Sequence, residues 1–195
     1  MTSVKFFVCY IIAIYLLSLA SLSSASTLND IIERDQLLCG VRGGSAGFAR
    51  IDDKGQWTGL DADYCKALAA AVLKDQDKVD YLVLSASVRF TALQNREIDV
   101  LIRNTTWTYT RDVSLGIDFT GINFYDGQGF IAWKDGNKTS LRDFDAGTSV
   151  CIEKNTTSLL NMKNYISQHN LDIEILEFIS TAATEDSFFA RRCDL

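Results

Sequence analysis

Short apolar runs, each closed by a polar or glycine-bearing loop, constrain this chain more than any other feature. Residues 36–41, 81–84 and 100–102 are such runs. A helically spaced segment opening at Asp61 and Asp63 and a shorter one at 90–93 lie between them. Apolar runs of this length bounded by turn residues read as buried strands. Strands alternating with helices predict a mainly parallel sheet covered on both faces, an α/β fold. An extended stretch at 124–133 follows, and the pattern then restarts. A short turn at 141–144 precedes a strand at 149–152. Asn155-Thr156-Thr157 caps a helix running to about residue 168, and a strand at 173–179 and a helix at 184–190 follow. Another strand opens at Cys193 and stops at Leu195. This second unit has too few strands to bury a full core, so the sequence reads as truncated at its C-terminus.

The first 25 residues read as a cleavable secretory signal peptide, not as part of the fold. Lys5 is followed by an apolar run from Phe6 to Leu19, then by small residues ending at Ala25. The apolar run is too short for a spanning helix, and Cys9 lies inside it. Four cysteines remain: Cys39, Cys65, Cys151 and Cys193. An even number in an oxidising compartment favours disulfides over metal ligation, and no Cys-x-x-Cys is present. Four cysteines allow three pairings. Cys39 ends the first strand and Cys65 lies on the helix packed against it, while Cys151 and Cys193 fall on neighbouring strands. Early therefore pairs with early and late with late. The net charge is −6 without any basic cluster, which argues against nucleic acid or an anionic membrane as partner.

The segment Ile98-Asp99-Val100-Leu101-Ile102-Arg103-Asn104-Thr105-Thr106-Trp107-Thr108-Tyr109-Thr110-Arg111 carries the candidate site. A strand stops abruptly, hydrogen-bonding side chains follow, and an arginine comes one short turn later. Ligands of α/β sheets sit at the carboxyl ends of strands, and the planar guanidinium of Arg111 matches a carboxylate. The competing reading is that Thr106 or Thr108 only caps a helix and Arg111 points to water. The loop Arg42-Gly43-Gly44-Ser45-Ala46-Gly47 misses the dinucleotide fingerprint, because Arg42 stands where its first glycine must be. Asp61 and Asp63 suit a helix N-terminus electrostatically, with Tyr64, Leu68, Ala71 and Val72 as the apolar face. His169 reads as a solvated residue of a polar loop. Asn-x-Thr sequons at Asn104, Asn137 and Asn155 read as coincidence. No metal site or cofactor is expected.

Several contiguous motifs resemble the amino-acid-binding solute receptors of ABC importers, solute-binding protein family 3. They are Leu38-Cys39-Gly40-Val41, Gly47-Phe48, Trp57-Thr58-Gly59-Leu60-Asp61-Ala62-Asp63, Arg89-Phe90-Thr91-Ala92-Leu93-Gln94 and Arg103-Asn104-Thr105-Thr106-Trp107-Thr108. Arg111-Asp112, Tyr125-Asp126-Gly127-Gln128-Gly129-Phe130, Ser149-Val150-Cys151 and Arg192-Cys193-Asp194 extend the match. The resemblance implies a type II periplasmic-binding-protein fold of two lobes joined by crossover strands. Lobe 1 would span 26–126, the hinge and crossover 127–133, and a partial lobe 2 134–195. Arg111 would clamp a ligand α-carboxylate, Asn104 and Thr106 would bond its carboxylate and ammonium, Thr157 would meet the carboxylate at a helix N-terminus, and Phe48 would wall the side-chain pocket. The implied function is capture of free L-amino acids in the periplasm by a chain that is monomeric at full length, and delivery to an ABC transporter permease. Asn155 replaces the family's usual glycine, and the family's ammonium-binding aspartate would lie beyond Leu195. Two other functions fit the same lobed scaffold: a dehydratase-type enzyme and the ligand-binding domain of a membrane sensor.

Overall fold

The computed structural model describes residues 26–134, 138, 140–144 and 146–195. The apolar leader at 1–25 with Cys9, and the sequon asparagine Asn137, lie outside the described residues. The first unit opens with helix α1 (Thr27–Arg34), followed by strand β1 (Leu37–Val41), a hairpin of β2 (Arg50–Ile51) and β3 (Trp57–Thr58), and helix α2 (Leu60–Leu73). Strand β4 (Val79–Val83), helix α3 (Arg89–Gln94), strand β5 (Val100–Leu101) and helix α4 (Tyr109–Ser114) complete it. The sheet is parallel in the order β4-β1-β5, as the alternating pattern requires. The Asp52 carboxylate accepts from the N–H groups of Lys54 and Gln56 and so closes the hairpin turn.

Strand β1 is buried on both faces, and its two sides do different work. Leu37 packs with Ile31 and Ala69, and Cys39 and Val41 with Ala49 and Cys65, which places α1 and α2 on one face. On the other face Gly40 leaves the space that Leu84, Ile98 and Leu101 fill. A Cβ there would stand 2.6 Å from Ile98 Cδ1 and 2.9 Å from Leu84 Cδ1. The Asp99 carboxylate joins this sheet to α1, accepting from the Leu38 N–H at 2.8 Å and pairing with Arg34.

The second unit comprises a 3₁₀ turn (Leu141–Asp143), strand β6 (Thr148–Glu153), helix α5 (Thr157–His169), strand β7 (Ile173–Phe178) and helix α6 (Thr181–Phe189). Strands β6 and β7 pair in parallel. The last residues run along the other edge of β6: Leu195 N–H donates to the Ser149 carbonyl and Cys151 N–H to the Leu195 carbonyl. The Asp194 carboxylate accepts from the N–H and hydroxyl of Ser149, which hold its pKa below the ordinary carboxylate range. Val150, Ile152, Met162, Ile173 and Leu195 form the core of this unit. Disulfides join Cys39 to Cys65 and Cys151 to Cys193, the pairing expected from the element order.

Four expectations are corrected. The buried residues of α2 are Asp61, Ala62, Cys65 and Ala69, whereas Tyr64 and Leu68 are exposed. Small residues face the sheet here because the Cys39–Cys65 bridge draws the helix close. Helix α6 begins at Thr181, three residues early, because the Ser180 hydroxyl accepts from Ala183 N–H and caps it. His169 ends α5 instead of lying in a loop, with its Nδ1 2.9 Å from the Tyr165 carbonyl and its ring stacked on Tyr165. Cys193 follows a turn and belongs to no regular strand.

Candidate functional site

The carboxyl ends of the strands of both units converge on a cluster of arginines. Arg42 follows β1, Arg103 follows β5, and Arg89 opens α3 after β4. Glu153 ends β6, and the Asn155–Thr157 turn leads into α5. Polar contacts cross between the units at this place. Arg89 Nη2 donates to the Asn155 carbonyl at 3.3 Å, Asn155 Nδ2 donates to Ser87 Oγ at 3.1 Å, and the Thr106 and Thr157 hydroxyls stand 3.0 Å apart. Gln128 extends the seam, donating to the Ser158 carbonyl and accepting from Asn161. Asn155 adopts φ 61°, a left-handed conformation that asparagine tolerates better than most residues.

Two of the arginines are buried: Arg89 is 2% and Arg103 7% exposed. Arg103 Nη1 donates to the Leu84 carbonyl at 2.8 Å, while its Nε and Nη2 reach Asn104 Oδ1 at 3.4 and 3.3 Å. Arg89 has no acceptor for its buried Nε; an unmet buried donor costs about 1–3 kcal/mol. The guanidinium carbons of Arg89 and Arg111 lie 4.7 and 5.2 Å from the centre of the same Phe90 ring. Burial lowers the pKa of Arg89 to about 9, helped by repulsion from Arg103 and Arg111. Burial also lowers Arg103 to about 10, with Arg42 and Arg111 adding to the shift and Glu153 and Asp61 opposing it. Asp61, 3% exposed beside this cluster, is pushed up to about 6 by burial, against the pull of Arg103.

The residues expected to form the site fall as follows. Arg111 is half-buried; its Nη1 donates to the Thr106 carbonyl at 2.8 Å, and burial lowers its pKa. Thr108 caps α4 by accepting from Arg111 N–H, so the capping reading holds for Thr108. The Arg111 side chain nevertheless folds back on Thr106 and Phe90 and does not stand out in water. Thr106 and Thr157 meet, and Thr157 is the first residue of α5, whose cap is Thr156. Asn104 is exposed and its amide oxygen is engaged by Arg103. Phe48 is half-buried and packs edge-on against Phe124 at 5.1 Å. Its carbonyl accepts from the Asp61 and Ala62 N–H groups. Gly59 makes this approach possible: at φ 111°, a Cβ there would lie 2.4 Å from the Phe48 carbonyl oxygen.

Sequence reasoning missed Arg42, Arg89, Arg103, Asp61 and Glu153 as parts of the site. Arg89 and Arg103 did carry a signal, since each stands just beyond an apolar run where a buried charge is costly. The helix-start position of Asp61 carried none, because acidic residues are ordinary there. Two surface cavities, of about 290 Å³ beside Trp133 and about 410 Å³ beside Trp57, lie away from the cluster. Among the described residues no group of three or more His, Cys, Asp or Glu could hold a metal ion.

Comparison with known proteins bears directly on this arrangement. Residues 37–176 match the bacterial extracellular solute-binding proteins, family 3. The chain belongs to that family. It is 43% identical over 176 residues to the general L-amino acid-binding periplasmic protein AapJ of Rhizobium johnstonii, covering 90% of this chain and 51% of that protein. It is 42% identical to the glutamate/glutamine/aspartate/asparagine-binding protein BztA of Rhodobacter capsulatus, covering 90% of this chain and 52% of that protein. Among solved structures, an ABC transporter periplasmic binding protein from Brucella ovis with glutathione bound is 45% identical, with a TM-score of 0.82. That match covers 87% of this chain and 53% of the other. This family 3 chain therefore spans about half the length of these relatives and shares the type II periplasmic-binding-protein fold. All three relatives are binding proteins by name.

Proposed function

We propose that this chain captures free L-amino acids in the periplasm and presents them to the permease of an ABC importer. The supporting observation is the meeting of Arg111, Thr106 and Thr157 where β5 of one unit faces the N-terminus of α5 in the other. Arg111 clamps the α-carboxylate with its planar fork. Thr157, at the positive end of α5, receives the same carboxylate. Thr106 and Asn104 bond the carboxylate and ammonium groups, and Phe48 with Phe124 walls the side chain. Residues 26–126 act as one lobe and 134–195 as part of the other, with 127–133 as the connection that absorbs their closure. The leader at 1–25 directs export and is cleaved after Ala25. The chain is monomeric at full length.

Binding without turnover is the reading that the matched relatives, binding proteins by name, support. His169 stands at the far end of α5 from Thr157 and is occupied with the Tyr165 carbonyl. The four cysteines of the two units are paired. Asp61 and Glu153 stand close to the arginine cluster, so recovery of the bound amino acid unchanged, read by mass spectrometry, is what separates a receptor from an enzyme on this scaffold.

Isothermal titration of the full-length protein against a panel of L-amino acids tests the proposal. Binding with one ligand per chain is expected. Arg111→Ala should weaken it by about 2–5 kcal/mol, roughly 30-fold or more. Unchanged affinity in that variant would remove Arg111 from the site.

A further inference from the structure

Asp126-Gly127 lies in the extended stretch that joins the two units, and neither residue belongs to a helix or strand. Both are exposed. The Asp126 carboxylate is turned back along the chain: its Oδ1 accepts from the N–H of Gly127, the very next residue, at 2.7 Å. Two other turn aspartates behave differently. Asp52 accepts from Lys54 and Gln56, and Asp75 from Asp77, so those carboxylates reach two residues or more ahead. Asp126 instead holds its carboxyl group against the one amide nitrogen with which it can close a five-membered ring. The space around Gly127 is open, with no atom within 4 Å of where a Cβ would stand. Glycine also leaves the main chain free to rotate into the geometry of attack.

We infer that Asp126-Gly127 is a site of spontaneous isoaspartate formation in the connection between the two units. The Gly127 nitrogen loses its proton and bonds to Asp126 Cγ, and a carboxyl oxygen leaves as water. Water then adds to the resulting cyclic imide. Opening at Cγ restores aspartate. Opening at the main-chain carbonyl carbon of Asp126 routes the chain through Cβ and Cγ and leaves a free α-carboxylate. The product has the mass of the parent, needs no oxidant or cofactor, and carries one additional carbon in its main chain. Gln128, the next residue, donates to the Ser158 carbonyl and accepts from Asn161. The longer main chain therefore displaces the contact by which the connection holds α5. The inference is independent of which ligand the protein binds.

Prolonged incubation of the full-length protein at neutral pH and physiological temperature tests this. Trypsin cleaves after Arg111 and Lys134 and releases one peptide containing Asp112, Asp118 and Asp126. Valine follows Asp112 and phenylalanine follows Asp118, so these two serve as internal controls. Electron-transfer fragmentation in the mass spectrometer breaks the added Cα–Cβ main-chain bond. It should locate a growing isoaspartyl fraction at Asp126 and none at the other two. Asp126→Glu, whose longer side chain would have to close a six-membered ring, should lose the signal. An isoaspartyl fraction at Asp126 no greater than at Asp112 and Asp118, or one that Asp126→Glu leaves unchanged in this peptide, would overturn the inference.

Discussion

Asp61 illustrates how far tertiary context can move a single residue. In the sequence it is one of two acids in the first turn of a helix, where the helix dipole favours negative charge. In the fold it is buried beside Arg103 with a pKa of about 6, raised from 3.8. A raised carboxyl pKa means that the folded chain holds a proton that the unfolded chain releases. The contribution of Asp61 to stability is therefore fully present below about pH 4 and is lost as pH rises through 6. The difference amounts to about 3 kcal/mol. Asp61→Asn has no such titration. Urea unfolding should show the variant gaining on the parent chain by that order between pH 4 and pH 7. Parallel stability curves would mean that Asp61 titrates normally. The position of Arg111 after a strand and a polar loop is a local pattern, which is why the sequence alone singles it out as a candidate. Arg89 and Arg103 stood in recognisable motifs, but their burial depends on how two strand ends and a distant turn meet.

Elements were more legible than faces. The strands and the longer helices fall within a few residues of the positions that hydrophobic spacing predicts, because run length and capping residues are local signals. Helix α2 shows where this stops. Its large apolar residues Tyr64 and Leu68 drew attention, whereas the sheet-facing side consists of Ala62, Cys65 and Ala69. Residue size does not report which side a disulfide pulls inward. The extended stretch at 124–133 forms no strand ladder. Helix α5 is the opposite case. Thr156 accepts from Leu159 N–H as its cap, and Met162 is fully buried at the centre of the core between β6, β7 and Leu195. Met162→Ala should destabilise the chain by about 2–5 kcal/mol, measured as a lowered urea midpoint. A change below about 1 kcal/mol would show that the second unit contributes little to cooperative unfolding.

At the scale of the whole molecule, each unit has one disulfide tying a strand to a segment far along the chain. The bridges close sequence separations of 26 and 42 residues. In the loop-entropy account each contributes about 4 kcal/mol. The second unit depends on its bridge more, because its sheet is two full strands with Cys193, Asp194 and Leu195 alongside. Replacing Cys151 and Cys193 together by alanine should lower stability by about 4 kcal/mol and release residues 193–195 from β6. Hydrogen exchange at the Cys151 amide, bonded to the Leu195 carbonyl, should rise accordingly. Protection equal to that of the parent chain would assign the hold on these residues to Asp194 and Ser149 instead.

Gly59 ties two of these scales together. A hydrogen atom in place of a side chain lets the start of α2 reach the Phe48 carbonyl, and the same turn fixes where the Phe48 ring stands. The backbone around Phe48 is thus held from a position that carries no side chain of its own. Any exchange at Phe48 therefore plays out on a main chain whose course Gly59 dictates.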